Sequence, residues 1–131
     1  TYSAMISACA KGRQWDKAVE IYGEMQRAGV QADAITYSAM ISACEKGKQC
    51  DKALEIFAEM TRAGLTANTI TFNSLLGACD KGRAWDKALE IFEQMQRSGT
   101  ELDRVTFATI IGVCEKSGQA DKALELFEKL Q

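Results

Sequence analysis

The chain has 131 residues, 47% of them hydrophobic and 26% charged, a balance that suits a folded domain or a short repeat array better than a disordered tail. It contains no His and no Pro, which removes the usual general base, the commonest metal ligand and rigid linkers, and with them most enzyme chemistry. A formal charge of -2 and a pI near 5.2 exclude coating of polyanions by bulk charge, so any contact with nucleic acid has to rest on local patterning.

Charge-free stretches are interrupted by Ser, Thr, Gly and Gln, and none approaches the roughly 18 apolar residues of a membrane span. No membrane span is expected. The first residues show neither a basic segment followed by an apolar one nor an Arg- and Ser-rich leader, so the compartment is not readable from them.

An internal repeat dominates the chain. Thr-aromatic pairs fall at Thr1-Tyr2, Thr36-Tyr37, Thr71-Phe72 and Thr106-Phe107, each 35 residues after the last. Cys9, Cys44, Cys79 and Cys114 keep the interval, as do Asp16-Lys17-Ala18, Asp51-Lys52-Ala53, Asp86-Lys87-Ala88 and Asp121-Lys122-Ala123. Residues 1 to 35 and 36 to 70 are identical at 24 positions. The units run over about 1–33 (partial), 34–68, 69–103 and 104–131 (partial, stopping at Gln131 inside a helix). Solenoids need polar caps, so unmodified repeat sequence at both ends is expected to mark a piece of a longer array.

Each unit is predicted to form two helices. In the second unit the first helix spans about Ile35 to Lys46, with Ile35, Met40, Ile41 and Cys44 at helical spacing; Asp33, Asn68 and Asp103 are the candidate caps of this helix and its successors. Gly12, Gly47 and Gly82 are expected to end the first helices in the left-handed conformation. The fourth unit has its Gly one residue later, at Gly118 after Ser117, which should alter only that turn. The second helix spans about Cys50 to Ala63, with Ala53, Leu54, Phe57 and Met60 as its apolar stripe, and Gly29, Gly64 and Gly99 end the second helices. One helical hairpin cannot bury both stripes, so neighbours must stack, and the expected fold is an all-α solenoid of stacked helical hairpins.

The units Ile35-Thr36-Tyr37-Ser38-Ala39-Met40-Ile41, Asp51-Lys52-Ala53-Leu54-Glu55-Ile56-Phe57 and Glu59-Met60-Thr61-Arg62-Ala63-Gly64 resemble the pentatricopeptide repeat in its unmodified 35-residue form, over the whole chain. The tetratricopeptide repeat fits worse: its period is 34, and Trp15 and Trp85 open the second helix with no L-G-x2-Y after them. The family usually places Pro just before the last residue of the repeat, where this chain has Ala32, Ala67 and Leu102.

The resemblance implies a right-handed superhelix that binds single-stranded RNA, one base per repeat. It assigns base reading to the polar residue two after each Thr together with the last residue of the unit: Ser3 with Asp33, Ser38 with Asn68, and Asn73 with Asp103. Under the family's code these pairs favour G, A and U, so the expected target is 5'-G-A-U-3'. The fourth unit has Ala108 at the first position and no assignable base. Ile35, Ile70 and Val105 match the aliphatic residues that flank each base, and Lys11, Lys46, Lys81 and Lys116 match a position near RNA phosphates. A mitochondrial or plastid location and a role in organelle RNA processing are implied in the same way.

The residues themselves leave alternatives. The first helices with their turns carry the positive charge and the second helices the negative, which suits a phosphate path, yet the Lys row also suits helix C-termini through the dipole. Ser3, Ser38 and Asn73 also suit a solvated polar face. Equivalent Cα atoms in stacked repeats lie roughly 9 to 10 Å apart, beyond disulfide reach, so the Cys row is expected to be small buried hydrophobes. Cys50 stands where Trp15 and Trp85 stand in sister units and is expected to be partly exposed and open to oxidation. No CxxC spacing supports a metal site. Asp86, Lys87 and Glu90 form a pattern recurring in every unit, which points to surface ion pairs at a helix start and not to a catalytic constellation. No cofactor, small-molecule substrate or catalysis is expected. The alternative function is a protein-interaction scaffold, or a subunit of a larger assembly, whose concave surface holds other protein subunits; the acidic pI favours it and the intact pairs favour RNA.

Overall fold

The computed structural model describes residues 1–130, apart from the side chains at 126, 127, 129 and 130; Gln131 lies outside the described residues. The described residues form eight helices in chain order: α1 (Tyr2–Lys11), α2 (Trp15–Arg27), α3 (Ala34–Lys46), α4 (Cys50–Arg62), α5 (Thr69–Lys81), α6 (Trp85–Arg97), α7 (Arg104–Lys116) and α8 (Ala120–Leu130). None is long and apolar enough to cross a membrane.

Consecutive helices pair into hairpins, and each hairpin packs on the next as the unmatched apolar stripes require. The first helices stack in one row, α1 on α3, α3 on α5 and α5 on α7, and each second helix packs on the first helix of the following unit. The second helices have no comparable backbone packing on one another. One layer is therefore tight and the other fans apart, which puts the row α1, α3, α5, α7 on the inner side of the curve.

Most residues of the predicted stripes supply the core, although Leu54 is only half-buried. Met40, Ile41, Cys44, Ala53, Phe57 and Met60 are buried, with Ile56 and the third-unit residues Leu75, Leu76 and Cys79 beside them. Ile35, grouped by spacing with that first-helix stripe, lies outside it at 65% exposure. It sits in the first turn, on the open side of the row. Between units, edge-to-face rings join α2 to α3 through Tyr22 and Tyr37 (centroids 6.3 Å apart) and α4 to α5 through Phe57 and Phe72 (5.7 Å). Such pairs contribute about 0.5 to 1.5 kcal/mol beyond the area they bury. The surface pairs Lys52–Glu55 (3.6 Å) and Lys87–Glu90 (3.8 Å) form at i, i+3 as the recurring pattern predicts.

The helix ends divide into two kinds. Gly29, Gly64 and Gly99 follow the second helices as expected, with left-handed φ values of 74°, 77° and 74°. Gly12, Gly47 and Gly82 do not: their φ values are -83°, -85° and -85°. The left-handed position falls one residue later, on Arg13, Lys48 and Arg83 (φ 58°, 59° and 58°), whereas the fourth unit puts Gly118 there at 78°. The shifted glycine is thus the better fit to this turn. What requires Gly47 and Gly82 is close approach between units: a Cβ on Gly47 would lie 2.5 Å from Trp15 Cγ, and one on Gly82 would lie 2.8 Å from Cys50 Cβ.

A non-glycine residue in the left-handed region costs about 1 to 2 kcal/mol, partly offset by the chain entropy that glycine loses on folding. Lys48→Gly should therefore raise the urea unfolding midpoint by an amount equivalent to about 0.5 kcal/mol or more. Gly47→Ala should lower it by about 1 to 3 kcal/mol through overpacking against Trp15. Equal midpoints for both variants and the parent would contradict this account of the turn.

Candidate nucleic-acid interface

Every first helix starts with backbone N–H groups that have no partner inside the helix. At Asp33, Asn68 and Asp103 a side-chain oxygen supplies one. Asp33 Oδ1 accepts from Thr36 N (2.9 Å), Asn68 Oδ1 from Thr71 N (3.0 Å) and Asp103 Oδ1 from Thr106 N (3.0 Å). All three residues are the predicted caps and also the second members of the predicted base-reading pairs. The threonine hydroxyl adds a second bond to the same oxygen, at 2.8, 3.0 and 2.9 Å respectively.

The same threonines reach back across the unit boundary. Thr71 Oγ1 lies 2.8 Å from Ser38 Oγ. Thr106 Oγ1 lies 2.6 Å from Asn73 Oδ1, so its single hydrogen is shared between that oxygen and Asp103 Oδ1, and Asn73 Nδ2 donates to Asp103 Oδ1 at 3.0 Å. The fold thus brings Ser38 together with Asn68, and Asn73 with Asp103, each pair tied through one buried threonine. Ser3 makes no such bond to Thr36 among the described contacts, so the first pair is not joined in this way.

Thr36, Thr71 and Thr106 are between 0% and 1% exposed, although in the sequence they stand out only as markers of the period. Their recurrence directly before an aromatic residue was the available signal. What hid the role is that Thr71 and Thr106 each serve the pair of the preceding unit, a contact visible only when units are stacked.

The aliphatic residues Ile35, Ile70 and Val105 are 65%, 69% and 56% exposed, far outside the core where such side chains belong. Ile35 and Ile70 are two walls of an open cleft of about 240 Å3, with Ser38, Ser7, Ser42, Lys11 and Lys46 also lining it. A flat group entering there meets an apolar side chain from each of two successive units, three hydroxyls and two cations. Ser7 and Ser42 were not singled out by sequence; they occupy the same position in successive units, and Gly77 and Gly112 follow them at that position.

The lysine row links units. Lys46 Nζ donates to Ala10 O at 3.1 Å, capping the end of α1. In the next two units the residue equivalent to Ala10 is acidic, and the contact becomes an ion pair: Lys81 with Glu45 (3.2 Å) and Lys116 with Asp80 (3.0 Å). Lys11 is exposed. Both ion pairs are open to water, where such contacts contribute about 0 to 1 kcal/mol, so the cations remain available to a stronger anion. Nothing local in the sequence marks Glu45 and Asp80, because their partners are 36 residues away.

Hydrogen bonds from Thr36 to Asp33, and from Thr106 and Asn73 to Asp103, hold both carboxyl groups below the ordinary carboxylate range. Both are therefore anionic acceptors at neutral pH. Their second oxygens, Oδ2, accept nothing among the described contacts. No group of three His, Cys, Asp or Glu able to hold a metal occurs among the described residues.

A family model described as the pentacotripeptide-repeat region of PRORP matches residues 1–131. No curated protein sequence matches the chain. Among solved structures, the chain is similar to the pentatricopeptide repeat protein PPR10 in complex with an 18-nt psaJ RNA element, at a TM-score of 0.83 and 22% identity over 98% of this chain and 19% of that one. It is similar to the PPR domain of Arabidopsis thaliana protein-only RNase P 1 in complex with tRNA, at 0.84 and 22% identity over 99% and 71%. It is also similar to nuclear proteinaceous RNase P 2 from A. thaliana, at 0.85 and 18% identity over 98% and 28%. These likenesses establish an α-solenoid. The chain spans about a fifth of PPR10.

The lowered carboxyls of Asp33 and Asp103 stabilise the fold fully above the ordinary carboxylate value of 3.8, and that stabilisation is lost as pH falls through their lower folded values. The double variant Asp33→Asn, Asp103→Asn keeps a capping oxygen at each site but cannot titrate. Its unfolding free energy should fall less steeply below about pH 4 than that of the parent. Circular dichroism with urea between about pH 5 and 2 measures both slopes, and equal slopes would remove the caps from the acid response.

Proposed function

The chain belongs to the pentatricopeptide-repeat family, and from that premise we propose that it is a sequence-specific single-stranded RNA-binding module that takes one base per repeat and reads 5'-G-A-U-3'. The observation that carries the proposal is the polarity that helix capping imposes on each reading pair. A backbone N–H can only donate, so the capping side chain must turn an oxygen inward. Asn68 then has only its Nδ2 hydrogens to offer outward, and Asp33 and Asp103 have only a carboxylate oxygen.

That difference sorts bases. The ring nitrogen on the Watson–Crick edge is a bare acceptor in adenine and cytosine and carries hydrogen in guanine and uracil. Asn68 as donor therefore matches A or C, and Asp33 or Asp103 as acceptor matches G or U. The first member of each pair divides these further by reach. Short Ser3 and Ser38 leave room for a purine, and the longer Asn73 extends to a pyrimidine. With Thr71 donating to Asn68, Ser38 donates to Thr71 and turns an acceptor toward the cleft, as the exocyclic amine of adenine requires. Asn73 keeps one Nδ2 hydrogen for a uracil carbonyl.

Ile35, Ile70 and Val105 supply apolar surfaces against the base faces, and Lys11, Lys46, Lys81 and Lys116 supply charge for the phosphates. Lys81 and Lys116 would exchange Glu45 and Asp80 for phosphate on binding. Stacking of roughly 1 to 3 kcal/mol per base, before ordering costs, gives a three-base site modest affinity, so the four units are read as part of a longer array. The proposed activity is binding without catalysis, by masking or positioning a transcript. A mitochondrial or plastid compartment, with a role in RNA processing, is proposed from the family.

Fluorescence anisotropy with RNA carrying G-A-U and a scrambled control, at about 50 and 200 mM salt, tests the reading. Preference for G-A-U is expected. No binding to either RNA by a folded sample would move the assignment to a protein-interaction scaffold. Ser38→Asn with Asn68→Asp recreates the third pair at the second position and should change its preference from A to U by about tenfold, or about 1.4 kcal/mol; an unchanged preference would defeat the code.

Lys46→Ala with Lys81→Ala should weaken all RNAs alike and flatten the salt dependence. Glu45→Gln with Asp80→Asn should do the opposite, tightening all RNAs and steepening the dependence, because it releases Lys81 and Lys116. Unchanged salt slopes in both variants would leave the lysines as inter-repeat ties.

A further inference from the structure

One pair of nucleophilic side chains lies outside the proposed RNA site. Cys50 opens α4 at the position that Trp15 and Trp85 hold in sister units. The smaller side chain lies against Gly82, where an added Cβ would approach Cys50 Cβ to 2.8 Å and its Sγ to 3.5 Å. It also lies beside the next unit's buried cysteine: Cys50 Sγ is 3.9 Å from Cys79 Sγ. The two belong to different repeats and different positions within the repeat, so the spacing that separates members of the Cys row does not apply to them. Their exposures differ too. Cys79 is 0% exposed, whereas Cys50 is half-buried and reachable from solvent.

We propose that Cys50 and Cys79 are a disulfide-forming pair, oxidised by a low-molecular-weight disulfide of the glutathione class to a reversible bond across the junction between the second and third repeats. The sulfurs are already 3.9 Å apart, so forming an S–S bond of about 2 Å asks for a further approach of only about 2 Å. Cys50 takes the first step because it alone of the two meets solvent. Its thiolate attacks one sulfur of glutathione disulfide, the reagent's S–S bond breaks, and one glutathione leaves and takes up a proton. Cys79 then loses its proton, its sulfur attacks the Cys50 sulfur, and the second glutathione leaves. The protein loses two electrons and two protons, and glutathione disulfide gains both as two thiols. Burial pushes the Cys79 thiol up to about 12, which suits it to the slower, closing step and not to the first.

The bond would join the start of α4 to the last turn of α5, at the opposite end of α5 from the Asn68 cap. It would add a covalent tie to a junction that is otherwise held by side-chain packing, the Ser38–Thr71 hydrogen bond and the Lys81–Glu45 ion pair. Elsewhere in the chain Trp15 contacts Gly47 at the equivalent place, so the second junction alone carries the thiol pair.

The test uses the reduced full chain incubated with glutathione disulfide, quenched with iodoacetamide in denaturant and digested with trypsin. The expected product is a linkage between the peptides of residues 49–52 and 63–81, with three of the five cysteines alkylated and the link reversed by dithiothreitol. Oxidised protein should melt at a higher temperature than reduced protein. Cys50→Ser, a change at a half-buried helix start that leaves the core intact, should abolish the link, and running the oxidation in urea should scatter linkage among all five thiols. Recovery of Cys50 only as a glutathione adduct with Cys79 alkylated, a different dominant pair, or all five cysteines alkylated would each overturn the proposal.

Discussion

The cap at the start of each first helix is the constraint from which the rest of the molecule follows. Four backbone N–H groups there have no partner within the helix, and Asp33, Asn68 and Asp103 each satisfy one with a side-chain oxygen. That requirement fixes which atom of the side chain turns inward, and so which atom remains for anything outside. A need of the fold thereby sets the chemistry of the surface. The buried hydroxyls of Thr71 and Thr106 extend the constraint to the neighbouring unit by bonding the cap on one side and Ser38 or Asn73 on the other. Buried hydroxyls are costly when unpaired, which explains why these threonines are held so closely.

Stacking supplies the second level of order. The rings of Tyr22 and Tyr37, and of Phe57 and Phe72, meet between a second helix and the first helix of the next unit. Small residues let the units approach, Gly47 under Trp15 and Gly82 beside Cys50. The tight row of first helices presents equivalent side chains at equal intervals, and the apolar first-turn residues Ile35, Ile70 and Val105 remain outside the core because the row turns them toward the open side. An exposed aliphatic repeated in three consecutive units is poorly explained by packing within the chain.

Electrostatics is local in this chain. The net charge is -2, yet cations gather along the turns of the first helices, where Lys46 caps α1 and Lys81 and Lys116 pair with Glu45 and Asp80. The acidic partners of Lys81 and Lys116 moderate the attraction that four aligned lysines would otherwise exert on any polyanion.

The period of 35, the two helices of each unit, their caps and most of their buried stripes were legible in the sequence, because each depends on residues close together in the chain. Helical spacing marks a buried face and a polar side chain three residues before an N–H marks a cap, whatever surrounds them. The sequence also named the pairs Ser38 with Asn68 and Asn73 with Asp103, through likeness to a known repeat. Their union through Thr71 and Thr106, the ion pairs of Lys81 and Lys116, and the contact of Cys50 with Cys79 were decided by the stacking of one unit on the next. The turns after the first helices were misread for the same reason. Gly47 and Gly82 stand there to admit Trp15 and Cys50 from the preceding unit, and the left-handed residue is the one that follows, Lys48 or Arg83. Local patterns report what a residue needs from its own helix, and only the assembled repeats report what it needs from a residue some 30 positions away.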